Sequence, residues 1–305
     1  MEFGKVDAPE RIDFSLPDDP PENAPLLAAA GPAPKTLYTG ATGWSVRKWV
    51  GILYPKGTRP GDYLQHYSRQ FNTIEFNTTF YRLPDAALVE RWHAAAAEDF
   101  RFCPKVWQAI SHGNNLGLGQ GLPAQMAEAL SHFREKLGTC FLQLPPAFGP
   151  TPANVALLER FFVGFSLPVA VEFRHPDWFL GGEHARRTFQ LMTHYGVSTV
   201  ITDVAGRRDV CHMRLTHPSV LIRFVGNCHP PTDGQRLGAW AERLQRWFEA
   251  GLHEAYFFIH QPEDIDVPAT AVQWLQRWEQ APAYIRRRGP HLYDSEPPGG
   301  QLSLF

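Results

Sequence analysis

The sequence predicts an α/β chain folded as a single TIM-type (β/α)8 barrel, and three observations predict it. Short β-branched or aromatic runs alternate with amphipathic helical stretches, the pattern of a parallel sheet covered by crossover helices. Eight such runs fit between Thr36 and His260, and eight strand–helix units over roughly 250 residues is the arithmetic of this barrel. Charged and amide side chains recur at the C-terminal ends of the runs, where a barrel of this type keeps its site. An open doubly wound sheet is the alternative. Its Gly-x-Gly-x-x-Gly fingerprint is missing, because Gly40-Ala41-Thr42-Gly43-Trp44 has the wrong spacing, and no Walker-type phosphate loop occurs.

The expected elements run as follows. Residues 1–36 contain seven prolines and few periodic apolar side chains, so they form an irregular arm. The barrel takes 37–283. Its strands are Thr36 to Gly40, Thr73 to Asn77, Arg101 to Val106, Cys140 to Leu144, Val169 to Arg174, Ser198 to Asp203, Val220 to Val225 and Ala255 to His260. Helical patterns lie at Asp62 to Gln70, Asp85 to Glu98, Gln120 to Leu137, Ala153 to Phe162, Glu183 to Tyr195, Gln235 to Ala250 and Pro268 to Gln280, and the connection Val204 to Ser219 has the weakest pattern. A tail over 284–305, basic from Arg286 and then rich in Pro and Gly, reads as a flexible extension.

Composition narrows the function classes. With 44% hydrophobic residues the 305-residue chain can bury a large core, and a net charge of −2 argues against a globally basic nucleic-acid coat while allowing a local basic patch. The start Met1-Glu2-Phe3-Gly4-Lys5 lacks an export pattern and no apolar run is long enough to span a bilayer, so a cytoplasmic, membrane-free location is expected. Four widely spaced cysteines, Cys103, Cys140, Cys211 and Cys228, form no zinc or redox motif and read as buried thiols.

A parallel strand is buried on both faces, so a charge near its C-terminal end is costly unless it serves the mouth. In Thr73-Ile74-Glu75-Phe76-Asn77, Glu75 and Asn77 share one face; Glu172 and Arg174 share another. Lys105 ends the third strand, Gln143 the fourth and Asp203 the sixth; Arg223 sits in the seventh and His260 closes the eighth. Glu75, Asn77, Lys105, Glu172, Arg174, Asp203 and Arg223 are therefore the candidate catalytic set for acid–base or phosphate chemistry. A purely structural ion-pair network is the competing reading. Glu75, Glu172, Asp203 and His260 also make up a candidate ligand set for a divalent metal. Trp44 and Tyr81, near strand ends, join Gln143 and His260 as candidate binding residues, with Trp49, Tyr54 and Phe80 close by. Such rings stack on bases or sugars, or simply pack the rim. The other histidines, His112, His175, His194 and His229, have no ligand spacing and read as surface or core residues.

These same residues carry a family resemblance. Gly40-Ala41-Thr42-Gly43-Trp44, Tyr54-Pro55, Ile74 to Arg82, Phe102-Cys103-Pro104-Lys105, Leu142 to Pro146, and Val171 to His175 with Trp178 resemble the YecE-like family, known as domain of unknown function 72. The Glu-x-Asn-x-Thr-Phe-Tyr-Arg block is the most specific of them. The resemblance implies a TIM barrel and no established activity. The eighth strand departs from the family pattern, reading Phe257-Phe258-Ile259-His260-Gln261-Pro262 where many members carry an asparagine-rich end.

Finally, Gln301-Leu302-Ser303-Leu304-Phe305 resembles the pentapeptide that docks bacterial replication and repair proteins onto the DNA sliding clamp. Leu302, Leu304 and Phe305 would fill an apolar groove while Gln301 hydrogen-bonds at its edge, and Arg286, Arg287 and Arg288 would touch nucleic-acid phosphates. Three functions compete: a DNA-associated phosphodiester or nucleotide hydrolase tethered to the clamp, a sugar or sugar-phosphate enzyme using the same mouth, and a non-catalytic binding module.

Overall fold

In a computed structural model, which describes residues 6–293, the first eight strands fall where the alternating pattern places them and a ninth lies beyond them. They are β1 (Lys35–Gly40), β2 (Thr73–Phe76), β3 (Arg101–Pro104), β4 (Cys140–Gln143), β5 (Val169–Glu172), β6 (Ser198–Asp203), β7 (Ser219–Val225), β8 (Glu254–His260) and β9 (Ile285–Arg287). Seven form a parallel sheet in the order β4-β5-β6-β7-β8-β1-β9, and β2 pairs with β3, also in parallel. Backbone bonds link the small sheet to both sides of the large one. The Glu75 N–H donates to the Ala41 carbonyl at 3.0 Å, and on the other flank Gly138 donates to Phe102 at 2.7 Å and Val106 to Phe141 at 2.9 Å. Gly40 allows the first of these junctions, since a Cβ there would stand 2.2 Å from the Thr73 carbonyl oxygen.

Ten α-helical segments accompany the strands: α1 (Asn23–Ala28), α2 (Tyr63–Gln70), α3 (Thr78–Tyr81), α4 (Ala86–Ala95), α5 (Gln108–Ser111), α6 (Leu122–Ser131), α7 (Pro152–Gly164), α8 (Glu183–His194), α9 (Pro230–Ala250) and α10 (Val267–Gln276). Their starts follow local chemistry. Asp85 accepts the Leu88 N–H at 2.8 Å to cap α4, Thr151 accepts Asn154 N–H at 3.2 Å ahead of Pro152 in α7, and Pro230 and Pro231 open α9. The helical stretch read from Gln120 to Leu137 is shorter, because the chain leaves the helix after Ser131 and Arg134 adopts a positive φ of 48°. Between β6 and β7 the connection holds only a 3-10 segment, Ala205–Val210.

Period-two alternation divides the burial. Leu37, Ile74, Leu142, Val171, Ile201, Ile222 and Phe257 pack against helix residues such as Tyr67, Leu158, Trp240 and Trp274 in the main core. The alternate side chains Tyr38, Cys103, Phe141, Ala170, Val200, Leu221, Tyr256 and Phe258 form a second, separate cluster on the opposite face of the strands. That second face leads to the site.

The arm is largely irregular but tightly fastened. Phe14 is buried between the guanidinium groups of Arg208 and Arg236, Asp19 accepts from Arg243 at 2.8 Å and from Trp247 at 3.0 Å, and Asn23 bonds the Met213 and Leu215 backbone. Two features differ from the sequence reading. The extension expected from Arg286 begins instead inside β9, which pairs with the N-terminal half of β1; Arg288 is engaged by Asp99 at 2.8 Å and by the Ser68 and Phe71 carbonyls rather than held out for phosphates. Cys103, Cys140 and Cys211 are buried as expected, but Cys228 is exposed on a positive-φ turn before α9. Among the described residues no helix is long and apolar enough to cross a membrane.

Candidate functional site

The face that carries Cys103, Phe141, Ala170, Leu221 and Phe258 continues, two residues further along each strand, into Lys105, Gln143, Glu172, Arg223 and His260. On β2 the same face presents Thr73 and then Glu75. Strand periodicity thus stacks an apolar layer beneath a layer of polar groups at the C-terminal strand ends.

Arg223 is the centre of that layer. Its Nε and Nη2 donate to Glu75 Oε2 and Oε1 at 2.9 and 3.0 Å, and its Nη1 donates to Glu172 Oε2 at 3.1 Å. Glu75 also accepts from Asn77 Nδ2 at 3.0 Å and lies 2.8 Å from His260 Nε2. Glu172 accepts from Gln143 Nε2 at 2.8 Å, and Gln143 Oε1 accepts from Lys105 Nζ at 2.9 Å. Arg174 Nε stands 4.0 Å from Glu172 Oε1. Eight side chains predicted from the sequence therefore form one connected network: Glu75, Asn77, Lys105, Gln143, Glu172, Arg174, Arg223 and His260.

Burial and neighbouring charge set the protonation of this network. Burial alone would raise the Glu75 carboxyl, but Arg223 and His260 outweigh it and hold Glu75 well below the usual carboxylate range. Glu172 is lowered in the same way: burial opposes ionisation, and Arg223, the Gln143 hydrogen bond and Arg174 overcome it. Burial works against the Arg223 charge too, yet the two carboxylates raise its pKa. Lys105 is pushed down by burial and then by Arg223. Among the described residues of this network, Lys105, Arg174 and Arg223 stand against two carboxylates, three positive charges to two negative before His260 is considered. Arg223 spends its donors inside the network, so the cations nearest the outside are Lys105 and Arg174.

The structure corrects three placements. Asp203 points away from this layer. Its carboxylate is fully buried among Arg208, Arg236, with Nη2 at 3.1 Å, and Trp240, with Nε1 at 2.8 Å, under α9. The β6 side chain on the site face is Thr202, in register with Arg223; its Oγ1 is buried with no hydrogen-bonding partner among the described residues. Trp44 packs inward, stacked on Phe76 at 5.4 Å and edge-on to Trp92 at 6.0 Å, so it is core rather than a ligand platform. The suggested metal ligands are not gathered either: Asp203 lies on the other face, Arg223 holds the oxygens of Glu75 and Glu172, and no cluster of three His, Cys, Asp or Glu that would hold a metal occurs among the described residues.

Of the other groups near the site, Phe80 and Tyr81 were named from the sequence, whereas His112 and Arg207 were not assigned to it. Lys105 Nζ lies 4.3 Å from the centre of the Phe80 ring, and His112 meets that ring edge-on at 5.5 Å. Burial, and then the charges of Lys105 and Arg174, lower the His112 pKa. Arg207 Nη2 donates to the Arg174 carbonyl at 2.9 Å while Asp209 holds its Nε. His112 and Arg207 lie in non-strand segments, where no period-two signal exists. Tyr81 is 70% exposed beside Phe80, ring centres 5.2 Å apart. Gln301, Leu302, Leu304 and Phe305 lie outside the described residues.

Comparison with known proteins agrees with the expected resemblance. The family model described as "Protein of unknown function DUF72" matches residues 38–292. The UPF0759 protein YecE of Escherichia coli is 31% identical over 252 residues, covering 76% of this chain and 89% of YecE. The UPF0759 protein YunF of Bacillus subtilis is 29% identical over 151 residues, 47% of this chain and 52% of YunF. A solved DUF72 family protein from Enterococcus faecalis has a similar fold, with a TM-score of 0.65 at 22% identity over 79% of this chain and 95% of that one. Another from Thermotoga maritima gives 0.58 at 21% identity, over 79% and 97%. With the family model spanning the strands and every element of the polar network, and YecE alignable over most of its length, this chain belongs to the DUF72 family of proteins of unknown function.

Proposed function

We propose that the two sheets close into a single (β/α)8 barrel and that its C-terminal mouth is an enzyme site for a phosphate ester. Closure is supported by the backbone bonds that join β2 to β1 and β3 to β4, and a mouth at the C-terminal strand ends is where this fold keeps its chemistry. The observation that carries the substrate class is the cation at the edge of the layer: Lys105 is held by the Gln143 amide oxygen rather than by a carboxylate, Arg174 stands beside it, and the two carboxylates of the layer are already committed to Arg223. The buried Thr202 hydroxyl adds a polar group that a ligand oxygen or a bound water would satisfy. In this reading His260 carries the proton. Its Nε2 contact with Glu75 fixes the ring so that Nδ1 serves the reacting group, and Lys105 and Arg174 take up developing negative charge. Glu75 and Glu172, tied to Arg223 and held ionised, position these groups rather than shuttle protons themselves.

Calorimetric titration with ribose 5-phosphate tests the assignment. A hydrogen bond to a charged group contributes about 1.5–3 kcal/mol, so Lys105→Met and Arg174→Met should each weaken binding by roughly ten- to a hundredfold. Affinities equal to that of the unaltered protein would sink the phosphate reading.

A tether to the bacterial DNA sliding clamp through Gln301-Leu302-Ser303-Leu304-Phe305 is proposed on the peptide sequence alone. It would place the phosphate chemistry near DNA. Deleting 301–305 should abolish clamp binding in a surface-resonance titration while leaving ribose 5-phosphate affinity unchanged; retained clamp binding refutes the tether.

A further inference from the structure

We infer that the ligand of the proposed phosphate site is a nucleoside 5′-monophosphate, with its base stacked on Tyr81 and its phosphate held by Lys105. The inference rests on the phosphate reading above and adds the substrate's second half. It starts from the turn that follows β2. Glu75 and Asn77 belong to the polar layer, and directly after Asn77 the chain enters α3, whose four residues Thr78–Tyr81 carry Phe80 and Tyr81 to the rim. This turn is pinned directly to the anion-binding strand. The buried Thr79 hydroxyl donates to the Lys105 carbonyl at 2.7 Å and lies 3.2 Å from the Phe76 carbonyl. Phe80 covers the Lys105 ammonium at 4.3 Å, and the His112 ring lies roughly perpendicular to Phe80, centres 5.5 Å apart.

Tyr81 then stands perpendicular to Phe80, at 87° and 5.2 Å between ring centres, with 70% of its surface open. A single exposed aromatic needs no explanation on its own. Here the ring belongs to a turn anchored by a buried hydroxyl, one residue from a side chain that touches the proposed phosphate-binding lysine. An exposed ring joined to that cation through Phe80, 5.2 Å from Tyr81 and 4.3 Å from Lys105 Nζ, suits a ligand that joins an anion to a planar ring, and base stacking on an aromatic side chain contributes a sequence-tolerant share of affinity. A sugar phosphate has the anion without the ring and leaves Tyr81 unused.

The experiment compares adenosine 5′-monophosphate, ribose 5-phosphate and inorganic phosphate by calorimetry on the full chain, on Tyr81→Ala and on Tyr81→Phe. Tyr81 is exposed, so neither variant disturbs the core. The unaltered chain should bind adenosine 5′-monophosphate at least about tenfold more tightly than ribose 5-phosphate. Tyr81→Ala should erase that preference without changing the affinity for ribose 5-phosphate, and Tyr81→Phe should keep it. Equal binding of the two esters by the unaltered chain, or a preference that survives in Tyr81→Ala, overturns the base-stacking inference and leaves the phosphate site standing. Failure of all three compounds to bind overturns both.

Discussion

Replacing Arg223 with methionine is expected to lower folding stability by about 3–5 kcal/mol, the cost of removing one partner from a buried ion pair. The side chain reaches Glu75 and Glu172 together, and the two carboxylates are 0% and 2% exposed. Methionine fills much of the space but removes the main cation of both carboxylates, leaving Glu75 with His260 and Glu172 with Arg174 at 4.0 Å, so burial drives each toward water or a proton. The sign of the pH dependence follows from the direction of the shifts. In the unaltered protein both carboxyls are held below their ordinary value of 4.5, so their stabilising contribution is complete above that value and is lost as pH falls through the lower folded value. In the variant, burial without Arg223 raises the folded values. The stability gap should therefore be widest at neutral pH and narrow on acidification. Urea melts at pH 7 and pH 4.5 check this. Converting both carboxylates to glutamine alongside Arg223→Met should recover part of the loss, because neutral amides are cheaper to bury than unpaired charges. A gap of less than about 1 kcal/mol at pH 7, or one that widens in acid, would show that the network does not hold the strand ends together.

How much of this was visible in the sequence depends on how regular each segment is. The existence of β1 to β8 was legible, and β6 falls on Ser198–Asp203 as read, because β-branched runs between amphipathic stretches have few other solutions. Most of the polar layer was legible for the same reason: once Glu75 is known to share a face with Asn77, and Glu172 with Arg174, periodicity brings them together without any knowledge of loops. Asp203 was misplaced because lying at the end of a strand does not say which face a residue occupies. The register does, since Val200 pairs with Leu221 and Thr202 with Arg223, which puts Asp203 on the helix side. Trp44 and His112 sit in segments without a period, so only the packing of distant residues fixes them: Phe76 and Trp92 for the first, Phe80 for the second. The basic run at Arg286 looked like tail because nothing local signals that a three-residue strand will pair beside β1.

The corrected position of Asp203 leads to the second large effect. Asp203→Ala should lower stability by about 3–5 kcal/mol while leaving affinity for ribose 5-phosphate unchanged. The carboxylate meets Arg236, itself completely buried, together with Arg208 and the Trp240 indole N–H. Burial would raise its pKa, but Arg236 and Arg208 outweigh it and lower the value below 3.8. Its contribution is therefore present above that ordinary value and is lost as pH falls through the folded one. Removing it leaves the buried Arg236 guanidinium with Asp233, at 3.3 Å, as its carboxylate partner and loosens the clasp in which Arg236 and Arg208 hold Phe14, so the arm should become more open to proteolysis in the same variant. The two readouts separate the faces of β6. If Asp203 belonged to the mouth, alanine would weaken ligand binding and scarcely change the melting temperature. If it belongs to the helix side, the melt moves, protease cuts within the arm, and the titration does not change. Arg208 links the clasp to the 3-10 segment that carries Arg207, and Arg207 touches the Arg174 carbonyl, so that path is a route by which the faces would couple. Combining Asp203→Ala with Arg174→Met decides the matter. Additive losses in binding free energy mean the faces are independent, and a coupling above about 0.5 kcal/mol means the arm's clasp supports the position of Arg174.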